Sequence, residues 1–214
     1  MRTIAGSGRP NPGGQIHFVD GNRGGIIRNR ERIMSNHYAI GATDRFNGGQ
    51  NAAKVDFQKI LSMLERDPKT NKVIEKIEIY THSRGGAFGA GYADALLELI
   101  KDNADQFANP NNVIDYVLNL APHQSNSIDA PDGVNSFSID HNWDMLSGDD
   151  MENNTGFKTN AKSGSPGASH QNKTFITEVG AFIKAYQQSK GDNGKLIDDF
   201  VNQMRSYGIK VTVN

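Results

Sequence analysis

Apolar positions along the chain change period several times, and each change predicts an element. Short runs rich in β-branched and aromatic residues predict strands over 15–22 (QIHFVDGN), 37–44 (HYAIGATD), 73–80 (VIEKIEIY), 113–121 (VIDYVLNLA) and 134–140 (VNSFSID). Helical spacing separates several of them. From Val55 the positions Phe57, Ile60, Leu61 and Leu64 form one stripe, which Pro68 closes, and Phe88, Tyr92, Leu96 and Leu99 form another that runs to Lys101. A polar stretch, 147–172, precedes a helix over 174–188 with Ile176, Val179, Phe182 or Ile183, and Tyr186 on its inner face. A last helix, 195–206, carries Leu196, Ile197, Phe200, Val201 and Met204, with Gly208 set to end it. Ile209, Val211 and Val213 then alternate as in a half-exposed edge strand. Strands alternating with helices predict an α/β domain with a mainly parallel sheet. Glu78 interrupts a run that would be dry if its strand were central.

Composition narrows the picture. The 214 residues allow one full-sized core, read here as a single domain over 15–214 behind a Gly/Pro-rich lead, 1–14. That lead lacks the apolar centre of a secretory signal and reads as a flexible leader or a scar of excision from a longer chain. The expected location is therefore the cytoplasm, or delivery as part of a larger secreted protein. A formal net charge of −1 gives no electrostatic reason to expect a nucleic-acid partner. Without cysteine there is no disulfide, thiolate metal site or cysteine nucleophile. No run is apolar enough for a transmembrane helix. The acidic run Asp149, Asp150 and Glu152 matches no calcium loop, and no metal or cofactor is expected.

The chemistry gathers where the third strand stops. IEIYTHSRGGAFGAG (77–91) passes from an apolar run to Ser83 and then directly into a helix rich in glycine and alanine. A serine hydroxyl becomes a nucleophile when a base takes its proton and a rigid perch holds it within reach. A tight strand-to-helix turn supplies the perch, and the new helix's N–H groups favour negative charge beside it. The residues two before and two after the apex, Thr81 and Gly85, are expected to crowd one another, giving T-H-S-R-G where G-x-S-x-G is common. No G-x-G-x-x-G or Gly-Lys-Ser/Thr occurs to support phosphate binding. The backbone N–H of Arg84, next after the serine, would be one oxyanion donor. Three histidines follow the turn, His123, His141 and His170, and the carboxylates Asp115, Asp140 and Asp144 are within the range of later strand ends.

The stretch IEIYTHSRGGAFGAGYADALLELI resembles the nucleophile elbow of the α/β-hydrolase superfamily, particularly its lipases and esterases, in which threonine at the first position is an accepted variant. The resemblance covers about a tenth of the chain and implies the α/β-hydrolase fold, a serine carboxylic ester hydrolase, and an ester or lipid substrate. It implies His170 as the base, since GASH is similar to the approach to the histidine in class 3 lipases, and Asp144 as the acid, since H-N-W-D-M-L is similar to theirs. Asp140 is the reserve and Asp115 a more distant third. IHFVDGN resembles the first-strand loop that carries the second oxyanion donor, implying Gly21 or Asn22. His123 and the Arg84 side chain are candidate substrate contacts. Segment 22–35, with Arg23, Arg28, Arg30 and Arg32, reads as a solvated basic face or as a small lid in peripheral contact with a membrane surface. The chain is also similar overall to hydrolase modules at the C-terminal ends of bacterial toxins and effectors, which would add an immunity protein as partner. Two other readings compete. One is a patatin-like Ser83–Asp132 dyad with N-R-G-G at 22–25 as its oxyanion loop; the other is an inactive hydrolase fold used for binding.

Overall fold

The computed structural model describes residues 17, 41–146, 151–161 and 164–214. The strand expected over 15–22, apart from His17, and most of that over 37–44 lie outside the described residues. His17 meets Asp56 at 3.0 Å. Residues 42–44 belong instead to a long helix, α1 (Ala42–Met63), which starts well before the stripe that begins at Val55. Gly48 and Gly49, poor helix formers, hide its first half from periodicity. Close packing requires glycine there: a Cβ on Gly49 would lie 2.0 Å from the Phe88 carbonyl oxygen, and one on Gly91 would lie 2.0 Å from that of Phe46. Thus α1 and α2 (Gly85–Asp102) approach backbone to backbone at two reciprocal glycines. Phe57, Ile60 and Leu61 are buried while Val55 faces out at 82% exposure. The helix ends at Met63, ahead of Pro68, because Leu64 turns extended and Arg66 bridges to Val73.

Four parallel strands lie side by side in chain order: β1 (Ile77–His82), β2 (Ile114–Leu120), β3 (Ser136–His141) and β4 (Thr155–Thr159). The short β5 (Val211–Val213) completes this order antiparallel to β4, at the edge position its alternation predicts. The strand expected over 73–80 starts late, since Val73 pairs with Arg66 and Phe107 in isolated bridges. Among the described residues β1 is the other edge, which lets Glu78 stay half-buried and accept a 2.9 Å hydrogen bond from the Tyr80 hydroxyl. β4 lies inside the stretch, 147–172, read as polar and given no strand. Its sequence, TGFKT, offers one large apolar side chain, Phe157, which is fully buried.

Alternation along each strand sends neighbouring side chains to opposite faces. Ile77 and Ile79 join Phe57, Phe88 and Leu96 in one core cluster, beneath α1 and α2. Tyr80 joins Tyr116, Leu118, Phe137 and Phe157 in the other, against α4 (Ile176–Ser189) and α5 (Asn193–Ser206). There Val179, Phe182, Leu196, Phe200 and Met204 are fully buried, matching the inner faces read from spacing. Asp192 caps α5 through the Lys195 N–H, and Gly208, at φ +74°, ends it with a hydrogen bond to the Arg205 carbonyl. The chain is therefore an α/β domain with a mostly parallel sheet flanked by helices. No helix among the described residues is long and apolar enough to cross a membrane.

Candidate active site

Parallel strands place their carboxyl ends along one edge of the sheet, and the connections leaving that edge can meet. Ser83 leaves β1 there, residues 121–125 leave β2, Asp144 leaves β3, and the one-turn helix α3 (Pro166–Ser169) follows β4 and is capped by His170.

Ser83 has φ 56°, in the left-handed region that a non-glycine residue enters at a cost of about 1–3 kcal/mol. Its backbone is held on both sides. The Ser83 N–H donates to the Leu120 carbonyl at 2.9 Å, and the Ser83 carbonyl accepts from Gly86 at 3.1 Å and His123 at 3.3 Å. Ala121 and Gln124 also have positive φ, at 45° and 56°, so three such residues crowd one end of the sheet. The small residue that the turn demands is not the one expected. A Cβ on Gly85 would sit 4.0 Å from Thr81, an ordinary contact, whereas one on Gly89 would lie 2.3 Å from the Thr81 methyl. Gly89, one helical turn further on, is what accommodates a β-branched residue at 81. The Thr81 hydroxyl makes a buried hydrogen bond, donating to Asn119 Oδ1 at 2.6 Å.

Three side chains form one hydrogen-bonded series. Ser83 Oγ lies 2.7 Å from His170 Nε2, and His170 Nδ1 lies 2.7 Å from Asp144 Oδ2. Asp144 Oδ1 accepts the Leu146 N–H at 2.9 Å, which orients a carboxylate whose side chain has no solvent exposure. An ionised carboxylate only accepts, so the proton belongs on Nδ1 and Nε2 is left to accept from the serine hydroxyl.

The other named residues fall elsewhere. Asp115 meets Lys76 at 2.7 Å and the Tyr186 hydroxyl at 3.2 Å, near the opposite end of β2. Asp140 is buried within β3, ahead of the turn that brings Asp144 to His170. Asp132 is exposed and precedes β3, so it lies off the end of the sheet opposite Ser83. Arg84 sits at the start of α2 directly after the serine. Gly21, Asn22, segment 22–35 and the acidic pair Asp149 and Asp150 lie outside the described residues; Glu152 is exposed.

Two further histidines matter here that residue spacing did not single out. His82 Nε2 lies 2.6 Å from the His170 carbonyl, with the two rings 5.1 Å apart. Burial lowers the basicity of His82, partly opposed by that hydrogen bond. His141 bonds the Ser169 carbonyl and Glu178 at 3.1 and 3.0 Å. Period-two alternation puts His141 on the buried face with Phe137 and Ile139, but its partners are remote in sequence. His123 lies nearby too, its ring 6.4 Å from that of His170. Against known proteins, no family model matches the chain and no curated protein matches it.

Proposed function

We propose that this chain is a serine hydrolase of carboxylic esters, of the lipase or esterase type, on an α/β-hydrolase fold. The observation that carries the reading is the series Asp144–His170–Ser83, two contacts of 2.7 Å ending on a serine with φ 56°. Ser83 Oγ attacks the ester carbonyl carbon as His170 Nε2 takes its proton, and Asp144 stabilises the imidazolium that results. The Arg84 N–H stands beside the developing oxyanion at the start of α2, where the helix favours negative charge. The tetrahedral centre collapses and His170 protonates the departing alkoxide. Water, deprotonated by the same imidazole, then clears the acyl-enzyme.

An apolar acyl group or lipid is favoured by what borders the acid: Trp143, Met145 and Leu146, at 46%, 81% and 49% exposure, flank the buried Asp144. The dyad alternative is disfavoured by the position of Asp132. The deciding experiment is fluorophosphonate labelling of wild type, Ser83→Ala and His170→Ala, followed by nitrophenyl esters of increasing chain length. Labelling lost in both variants supports the mechanism. Retained labelling in His170→Ala would return the dyad, and a folded wild type that does not react would leave a binding module.

A further inference from the structure

We propose that His82 and His141 are positioning residues that together clamp the backbone on either side of His170; the proposal rests on reading His170 as the base. Successive carbonyls, those of Ser169 and His170, face the two imidazoles. Ser169 O is 3.1 Å from His141 Nδ1 and 3.0 Å from the Thr174 hydroxyl, and His170 O is 2.6 Å from His82 Nε2. A carbonyl can only accept, so both rings donate. His82 therefore carries its proton on Nε2 and His141 on Nδ1.

The connectivity gives these bonds their purpose. His82 grips the backbone of the residue whose ring meets Ser83, and Ser83 is its own chain neighbour. His82, Ser83 and His170 thus close a small circuit of one peptide link and two hydrogen bonds. A second circuit runs from His141 through the turn to Asp144, whose N–H donates to the His141 carbonyl at 2.9 Å. It crosses to His170 Nδ1 and returns through Ser169 O to His141 Nδ1. Both circuits share His170, so the backbone that carries its ring can move away from Ser83 or Asp144 only by breaking a bond to β1 or β3. His141 is itself fixed. Its Nε2 is hydrogen-bonded to Glu178 Oε1 at 3.0 Å, its ring stacks on Phe175 at 4.0 Å, and both polar side chains are 1% exposed.

The test uses the full chain. Imidazole NMR on the wild type should find His82 as the neutral Nε2–H tautomer and a downfield His170 Nδ1–H from the bond to Asp144. In His82→Ala that resonance should broaden or vanish, and kcat and the fluorophosphonate rate should fall by about 10²-fold with KM little changed, the scale of a 1 Å misplacement. His82→Gln, whose amide N–H replaces Nε2–H, should restore both. His141→Asn, which keeps the Nδ1-type donor, should retain more of the resonance than His141→Leu. A folded His82→Ala with the wild-type resonance, or His82 found as the Nδ1–H tautomer, would overturn the clamp. A wild type with the expected resonance and tautomer but no labelling would overturn the hydrolase reading, leaving the clamp to be judged by the resonance in the variants.

Discussion

Gly89→Ala should change sign with the residue at position 81. In an exposed or roomy helix the substitution is favourable by about 1 kcal/mol, through helix propensity alone. Here the new Cβ would stand 2.3 Å from the Thr81 methyl, well inside van der Waals contact. Thr81 cannot simply rotate away, because its hydroxyl holds the buried Asn119 at 2.6 Å, and Asn119 in turn donates to the Phe137 carbonyl of β3. Relief must come from moving α2 off the sheet, and overpacking of this kind costs about 1–3 kcal/mol. The net effect in the wild-type background is then a loss of about 0–2 kcal/mol after the propensity gain. Thr81→Ser removes the methyl and keeps the hydroxyl. The nearest remaining atoms would be the residue-81 Cβ at 3.5 Å and the Ile79 methyl at 4.0 Å, both ordinary contacts. In that background Gly89→Ala should be neutral or stabilising by up to about 1 kcal/mol. Urea denaturation of the four proteins measures the cycle, with an expected coupling of about 1–3 kcal/mol. Because the same turn carries Ser83, the labelling rate should drop in Gly89→Ala and recover in the double variant. A coupling indistinguishable from zero would refute the assignment of Gly89 as the small residue of the turn.

Asp144→Asn should lower the fluorophosphonate rate by about 10⁴-fold, because an amide N–H facing His170 favours the wrong tautomer; Asp140→Asn should leave the rate of the folded protein unchanged. Glu178→Ala should cost about 1–3 kcal/mol in urea denaturation by leaving the buried His141 Nε2 without its hydrogen-bond partner. His82 makes stability pH-dependent. Its basicity is lowered in the fold, first by burial, so below the ordinary histidine value of about 6.5 the unfolded chain binds a proton that the native one refuses. Its contribution is therefore full above that value and is lost as pH falls below it, until the native side chain also titrates. The pH dependence of the urea midpoint should flatten in His82→Gln over that window.

The parts of the fold readable from sequence are those whose burial repeats locally. Leu196, Phe200 and Met204, or Phe88, Tyr92 and Leu96, declare a face because each helix buries one stripe. β4 escaped because a five-residue strand with Phe157 as its one large apolar side chain carries almost no periodic signal. The start of α1 escaped because Gly49 is there for Phe88, a residue on another helix. Within the candidate site, Ser83 stood out by its position between strand and helix, whereas His170 and Asp144 were selected through a resemblance and not through spacing. The Thr81–Gly89 contact, and the bonds from His82 and His141 to the loop at 169–170, depend on how elements lie against one another. Nothing in the local sequence announces them.

The sheet's strand order has a consequence for the timing of synthesis. Because β1 to β5 lie in the order in which a ribosome makes them, each new strand can dock on an edge already laid down. The turn at Ser83 can form early, on β1, α2 and β2. Its partner His170 lies 87 residues later, and the buried Glu178 that steadies this region comes later still. A nascent chain would thus present a shaped but unpaired serine, and the proposed chemistry would begin only when the last third of the domain had emerged.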